Sequence, residues 1–470
     1  MSERPKNVGR VSTRQTTSAH GDVGLRPSVV SLSNHEAANP TYGGMEGDWI
    51  SMSIADAPIE IVDGDRGINY PKQGDFAPVG HCLFLNTGNV TTTGFSFSDR
   101  SFVTKEKDDT LRKGKLKRHD VVLTTRGTVG NVALFDDSAP FEHVRINSGM
   151  VLLRADQTKL LPRFLYLFVR SPNFKEQVAS LSTGSAQPQL PIRDIRRVQI
   201  PLPPLPEQKT IAHILGTLDD KIELNRRMNE TLESMARALF QSWFVDFDPV
   251  RAKLDGRKPA GLDAATAALF PAHFQDSTLG HIPQGWEVVR LDDIAHVMMG
   301  LSPDGESYNS EGVGMPLING PVEFGDYFPV KTKWTEAATR FAAENDLIFC
   351  VRGSTTGRRV VSDGKYCIGR GVCSIRAKGG FYNFLYQTIN IGLDRLLEKT
   401  TGSVFPSLSA PDIKGFTVIR PNEDVLEAYE RITKPLILRI HENHHQSRTL
   451  ATLRDTLLPK LLSGEIARAR

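Results

Sequence analysis

The chain has 470 residues, a formal charge of +3 at pH 7, 39% hydrophobic and 24% charged residues. That length exceeds what one hydrophobic core usually organises, so two or more domains are expected. The near-neutral charge excludes naming a partner from net charge. No apolar run of about 18 residues offers a membrane span, and no apolar N-terminal leader is seen, so a cytoplasmic location is expected.

Residues 1–45 are rich in Ser, Thr, Asn, Arg and Gly without a sustained period, and a disordered extension is expected there. A first domain is expected over 46–204, where short β-like runs alternate with turn signals. Examples are 57–62 against Asp63-Gly64-Asp65, and 121–125 against Arg126-Gly127. The stretch 160–181 reads as helical, split at Pro172. Within this domain Arg112, Lys113, Lys115, Lys117, Arg118 and Arg126 set six positive charges against Asp120, with Thr124, Thr125, Thr128 and Asn131 interleaved. Lys and Arg neutralise phosphates, and Arg, Asn and Thr read base edges, so these form a first candidate DNA-binding set. An exposed hairpin with ordinary surface charge is the alternative.

Pro201-Leu202-Pro203-Pro204-Leu205-Pro206 is a stiff lead-in, and Pro206 suits the first turn of a helix expected over 205–245. Ile211, Leu218, Asn225, Leu232 and Leu239 recur every seventh residue as position d, with Leu215, Ile222, Asn229 and Ala236 at a. Such a seam, with two polar layers, needs a partner helix. A connection over 246–284, with a short helix at 264–270, leads to a second domain over 285–421 that opens at Trp286-Glu287-Val288.

A second helix, within 422–470, supplies the partner. Tyr429, Leu436, Asn443, Leu450 and Leu457 take position d, and Thr433, Ile440, Ser447 and Arg454 take a. Pro435 is expected to kink or delay it. The first helix should reach about 50–60 Å at ~1.5 Å per residue, and the second somewhat less. Antiparallel pairing with Asn225 and Asn443 setting the register is the simplest arrangement. His441, His444 and His445 fall at b, e and f, and read as a solvated polar face rather than as metal ligands.

The two halves repeat. Thr183-Gly184-Ser185, Pro188, Leu190 and Asp194-Ile195 recur 218 positions later as Thr401-Gly402-Ser403, Pro406, Leu408 and Asp412-Ile413. Asp120-Val121-Val122 and Arg126-Gly127 recur 226 positions later as Asp346-Leu347-Ile348 and Arg352-Gly353. A period this long means two copies of a globular-plus-helical unit, not a solenoid. At its matching turn the second copy offers Arg352, Ser354, Thr355, Thr356, Arg358 and Arg359 as a second candidate set. The expected fold is therefore α+β, with two mixed, strand-rich domains joined by two long antiparallel coiled-coil helices in a pseudo-two-fold repeat.

Catalytic signatures are sparse. Asn39-Pro40-Thr41-Tyr42 only loosely echoes a methyltransferase motif, and no Walker-type glycine–lysine loop exists. Asp194 with Glu207-Gln208-Lys209 could in principle hold Mg²⁺ for a nuclease. Glu207 is better explained as an acid in the first helical turn, and Val425 stands in its place in the second copy. Cys82, Cys350, Cys367 and Cys373 lack C-x-x-C spacing and read as reduced thiols. No metal or cofactor is expected on this chain.

These residues resemble the specificity subunit of type I restriction–modification systems. The resemblance rests on Trp286-Glu287-Val288, the turn Arg126-Gly127-Thr128-Val129-Gly130, and Gly184 through Pro188. It rests most on Pro201 through Gln208 leading into a long helix, and on the ending Leu457-Leu458-Pro459-Lys460-Leu461-Leu462-Ser463-Gly464-Glu465-Ile466. It covers residue 48 onward. The second copy departs from it in having Ile419-Arg420-Pro421 instead of the proline-rich lead-in.

The resemblance implies a non-catalytic reader of double-stranded DNA. Two target-recognition domains would each take half of a bipartite asymmetric site, with the helices as spacer. Two methyltransferase subunits carrying S-adenosylmethionine would methylate adenine, and restriction subunits would use ATP and Mg²⁺. The alternatives are a stand-alone DNA-modifying enzyme or nuclease, and a structural coiled-coil scaffold.

Overall fold

The computed structural model describes residues 49–181, 189–400 and 406–468. The expected 1–45 extension, the Asn39–Tyr42 echo, and the repeated Thr183–Pro188 and Thr401–Ser403 segments lie outside the described residues.

In the first domain the strands Ile59–Asp63, Met150–Ala155, Val121–Thr124 and Val132–Leu134 form an antiparallel sheet in that spatial order. The uninterrupted apolar run Val121-Val122-Leu123 is buried on both faces, as a covered strand requires. Successive side chains alternate across the sheet. Val121 and Leu123 therefore join Phe164 and Phe168 on the helix side, where Pro162–Arg170 and Pro172–Leu181 lie. Val122 joins Leu83, Phe135 and Leu152 on the other side. A smaller sheet closes that second face, with Cys82–Leu85 parallel to Val144–Ile146.

The second domain repeats the plan. Ala295–Met299, Val372–Ala377, Leu347–Cys350 and Arg359–Val361 take the same order, and Met315–Ile318 runs parallel to Tyr366–Ile368. The aspartates matched by the 226-residue offset anchor equivalent ion pairs in the two copies. Buried Asp120 accepts from Arg154 Nε and Nη2, both at 2.8 Å. Buried Asp346 accepts from Arg376 Nε and Nη2 at 2.7 and 2.8 Å.

The first long helix, Leu205–Phe240, ends in a π-helical turn at Gln241–Val245. Gln208 ties its start to the first domain, donating to Pro203 O at 2.8 Å and accepting from Leu161 N at 2.8 Å. The second long helix is Glu423–Leu462. Counted through its π turn, the first rod runs 205–245 and is about as long as the 40-residue second helix. Pro435 neither delays nor ends it. Pro435 and Pro459 sit on its exposed side, where a carbonyl left unbonded can be hydrated.

The pairing is antiparallel. Tyr429 Oη donates to Ala236 O at 3.3 Å, Asn443 Nδ2 to Asn229 Oδ1 at 2.8 Å, and Arg454 Nη1 to Asp219 Oδ1 at 2.7 Å. Each end of the pair belongs to a domain core. Ile211 and Leu215 pack with Leu458, Leu461 and Leu462 in the first. Phe240 packs with Val425, Leu426 and Tyr429 beside the second.

Two expectations need correction. The 246–284 segment is more than a connection: it holds the helices Asp248–Leu254 and Ala264–Ala268 and the hairpin Phe274–Ser277/Gly280–Pro283. Its Phe247 and Phe270 join Phe240, Trp243, Phe244 and Trp286 in one aromatic core. Two of the three histidines, His441 and His444, are half-buried rather than solvated, while His445 stays exposed. His441 lies 4.8 Å from the Phe328 ring, His444 stacks on Tyr327 at 5.1 Å, and His445 stacks on Phe328 at 5.5 Å. A heptad register describes only the helix–helix face, and the second domain covers His441 and His444 on this one.

Candidate nucleic-acid interface

Both Arg-Gly turns leave the C-terminal end of a central strand, and the same hydrogen bonds hold them. Thr125 N donates to Gly149 O at 2.7 Å, Leu190 N to Thr125 O at 3.0 Å, and Gly130 N to Thr124 O at 3.0 Å. In the second copy Val351 N donates to Gly371 O at 2.9 Å, Leu408 N to Val351 O at 3.0 Å, and Gly357 N to Cys350 O at 3.0 Å. The second loop is one residue longer, 352–357 against 126–130. Gly127 and Gly353 have φ of +71° and +85°, a left-handed turn that favours glycine.

Neighbouring strand ends crowd the same edge. A Cβ on Gly64 would stand 2.2 Å from Asn147 O, and one on Gly300 would stand 2.1 Å from Gly369 O. Each domain thus gathers several loops at one sheet end, over a floor made close by glycine.

The first candidate set divides. Arg126 is exposed at this sheet end with no side-chain partner among the described residues. Arg112 and Lys113 are also exposed and unpaired there, since Gly114 lies against Gly64 and Ile146. Lys117 is exposed, and Arg118 partly so, at the opposite end of Val121–Thr124, four strand residues or about 13 Å away.

Other members are structural. Arg118 Nη1 donates to Asp136 O at 2.7 Å, and its guanidinium lies 4.4 Å from the Phe135 ring centre. Lys115 pairs with buried Asp108 at 2.5 Å. Burial opposes that charge, but hydrogen bonds from Lys115 and Arg145 outweigh it and hold the Asp108 carboxyl down at about 2. Thr124 and Thr125 are buried. Thr128 Oγ1 donates to Thr87 O at 3.1 Å, and Asn131 Nδ2 to Val90 O at 2.9 Å, bracing the turn against the 86–90 loop.

In the second set Arg352, Ser354 and Arg358 are exposed without side-chain partners among the described residues. Arg359 donates to Asn390 Oδ1 and to Gly357 O, Thr356 Oγ1 to Pro406 O at 2.9 Å, and Thr355 lies 3.5 Å from Cys350 Sγ. These three shape the loop.

The carboxylates considered for Mg²⁺ do not converge. Glu207 accepts from Trp49 Nε1 at 2.6 Å, and Asp194 pairs with Arg193. Among the described residues no group of three or more His, Cys, Asp or Glu is placed to hold a metal, and all four cysteines are buried and free. No described helix is long and apolar enough to cross a membrane.

The duplicated geometry has a counterpart among known proteins. The family described as type I restriction modification DNA specificity domain matches residues 60–234 and 283–435, one span over each copy. The chain belongs to this family. It is 24% identical to the type I restriction enzyme HindI specificity subunit of Haemophilus influenzae, across 89% of this chain and 100% of that one. It is 26% identical to the type I restriction enzyme MjaIX specificity subunit of Methanocaldococcus jannaschii, across 74% and 77%. The solved type I restriction-modification system S subunit from M. genitalium shares the fold, with a TM-score of 0.51 at 16% identity over 88% of this chain and 96% of that one.

For a DNA specificity chain, one exposed arginine escaped the sequence reading. Arg370 stands between Gly369 and Gly371 at the same sheet end as Arg352. The available signal was an arginine flanked by glycines just before a strand. It lies outside the aligned Arg-Gly motif, so no internal match drew attention to it.

Proposed function

We propose that this specificity subunit reads an asymmetric, two-part site in double-stranded DNA and directs partner subunits to it without catalysing the chemistry. The domain over 46–204 would take one half-site and that over 285–421 the other. The helices over 205–245 and 422–470 would set the distance between them, with 246–284 bracing the second domain. The observation that carries this reading is the pair of Arg-Gly turns, which share backbone hydrogen bonds yet present different exposed side chains: Arg126 and Thr128 in one, Arg352, Ser354 and Arg358 in the other. Shared frames give shared docking, and different side chains give different half-sites. Antiparallel helices relate the copies by an approximate two-fold, as DNA strands are related.

The expected partners are two methyltransferase subunits, which would bind S-adenosylmethionine and methylate adenine, and restriction subunits using ATP and Mg²⁺ in the cytoplasm. The test is to exchange 46–204 for the corresponding domain of another specificity subunit and map methylated adenines in cells. One half-site should change while the other persists; a change in both, or in neither, overturns the reading.

A further inference from the structure

In the second domain the turn between Tyr366–Ile368 and Val372–Ala377 is Gly369-Arg370-Gly371; the first domain has Asn147-Ser148-Gly149 in its place. Backbone bonds establish the equivalence, since Gly371 O accepts from Val351 N as Gly149 O accepts from Thr125 N. The turn is held from several directions. Gly369 N donates to Ile318 O at 2.8 Å, Arg370 N to Ser302 Oγ at 3.0 Å, and Val372 N to Gly369 O at 3.2 Å. A Cβ on Gly369 would stand 1.7 Å from Asn319 Oδ1, and one on Gly371 would stand 2.1 Å from Asn319 O. A Cβ at Gly371 would meet backbone and one at Gly369 would have to displace the Asn319 amide, so the turn as it stands presents Arg370 alone. Its side chain is exposed and unpaired among the described residues, as is that of Arg352, two residues past the end of the adjoining strand Leu347–Cys350.

We propose that Arg370 is a specificity-determining residue that contacts a guanine edge in the half-site taken by the second domain. This rests on the two-half-site reading above. A guanidinium is a planar fork that can bond guanine O6 and N7 together, and that contact depends on a fixed approach. A pedestal locked by two glycines and a side-chain hydrogen bond supplies one, whereas a phosphate contact tolerates a looser tether. The first domain cannot do the same here. Ser148 holds the position, and the nearby Arg66 is tied to Asp63 Oδ1 at 3.2 Å and Ser148 O at 3.3 Å. The two half-sites should therefore differ where this turn meets DNA.

The test compares the full wild-type chain with Arg370→Ala and Arg370→Lys, each assembled with its methyltransferase subunits, on duplexes randomised across the recognised site. Arg370→Ala should lower discrimination at one base pair of the second half-site by about 10–100-fold, leaving the first half-site and the melting temperature unchanged. Arg370→Lys keeps the charge and should not restore discrimination. A uniform loss on all sequences with a salt slope smaller by about one would make Arg370 a backbone contact and overturn the proposal. Unchanged preferences would overturn it too. If the wild-type complex shows no two-part preference, the broader reading fails; if it does and only the variants behave as wild type, this inference alone fails.

Discussion

Asn443 donates a 2.8 Å hydrogen bond to Oδ1 of Asn229, deep between the two long helices. Asn225 lies one layer away, donating to Gln446 Oε1 at 2.9 Å and Ser447 Oγ at 3.2 Å. Sliding one helix by a heptad would set Asn229 against Leu436 or Leu450 and Asn443 against Ile222 or Ala236, and break the bond between the two asparagines. They make register specific more than they make the pair stable. Asn443→Leu should cost about 1–3 kcal/mol, because it strands a buried acceptor on Asn229. Replacing Asn225, Asn229 and Asn443 together by leucine should cost less than the single change. Denaturant midpoints of the two variants decide this, and a triple variant less stable than the single would refute it.

The paired ion bridges under the Arg-Gly strands are a second test. Arg376→Ala or Arg154→Ala leaves a buried carboxylate without its main partner, and each should cost about 3 kcal/mol. Glu60→Ala removes only an exposed partner of Arg154 and should stay within about 0.5 kcal/mol. Chemical unfolding of the three variants should separate them by that margin.

Acid should loosen the seat of the second domain on its helix. Burial, then the neighbouring His444 and His445, pushes the His441 imidazole from 6.5 down to about 4. The unfolded chain therefore takes up the proton first as pH falls. This contribution to stability is complete above pH 6.5 and is lost progressively toward pH 4. His441→Phe keeps a ring against Phe328 and should flatten the fall in melting temperature between pH 6.5 and 4.5. An unaltered slope would show that His441 takes up its proton alike in the folded and unfolded states.

Exposed and structural arginines should separate in a binding assay. Arg126→Ala should weaken preference in the first half-site only. Arg118→Ala removes bonds to backbone carbonyls and a ring contact. It should lower stability by about 1–2 kcal/mol with base preference intact. Altered preference in the Arg118 variant would place it in the interface after all.

Because the helices are interlocked along their length, spacing should change only when both are extended together. One heptad added to each adds about 10 Å, or roughly three base pairs, with both half-sites kept. A heptad in the first helix alone breaks layers such as Arg454–Asp219 and should destabilise the chain instead. A map of methylated adenines, read beside a melting curve, checks both outcomes.

The sequence by itself determined the doubling, the strand-rich domains, the seven-residue seams and the two Arg-Gly turns. All of these depend on local periodicity and on residues such as Gly127 and Pro206 that carry their conformational meaning with them. It could not sort the basic cluster of 112–126. Whether Arg118 meets DNA or the carbonyls of Asp136 and Ala139 depends on which loop folds beneath it, and those partners lie 18 and 21 residues away. Nor could the register show the second domain covering His441 and His444, or the 246–284 segment closing an aromatic core. Only the tertiary structure decided which charges are spent inside the protein and which, like Arg126, Arg352 and Arg370, are left facing outward. Burial and pairing are properties of chain segments brought together from far apart, and no local pattern encodes them.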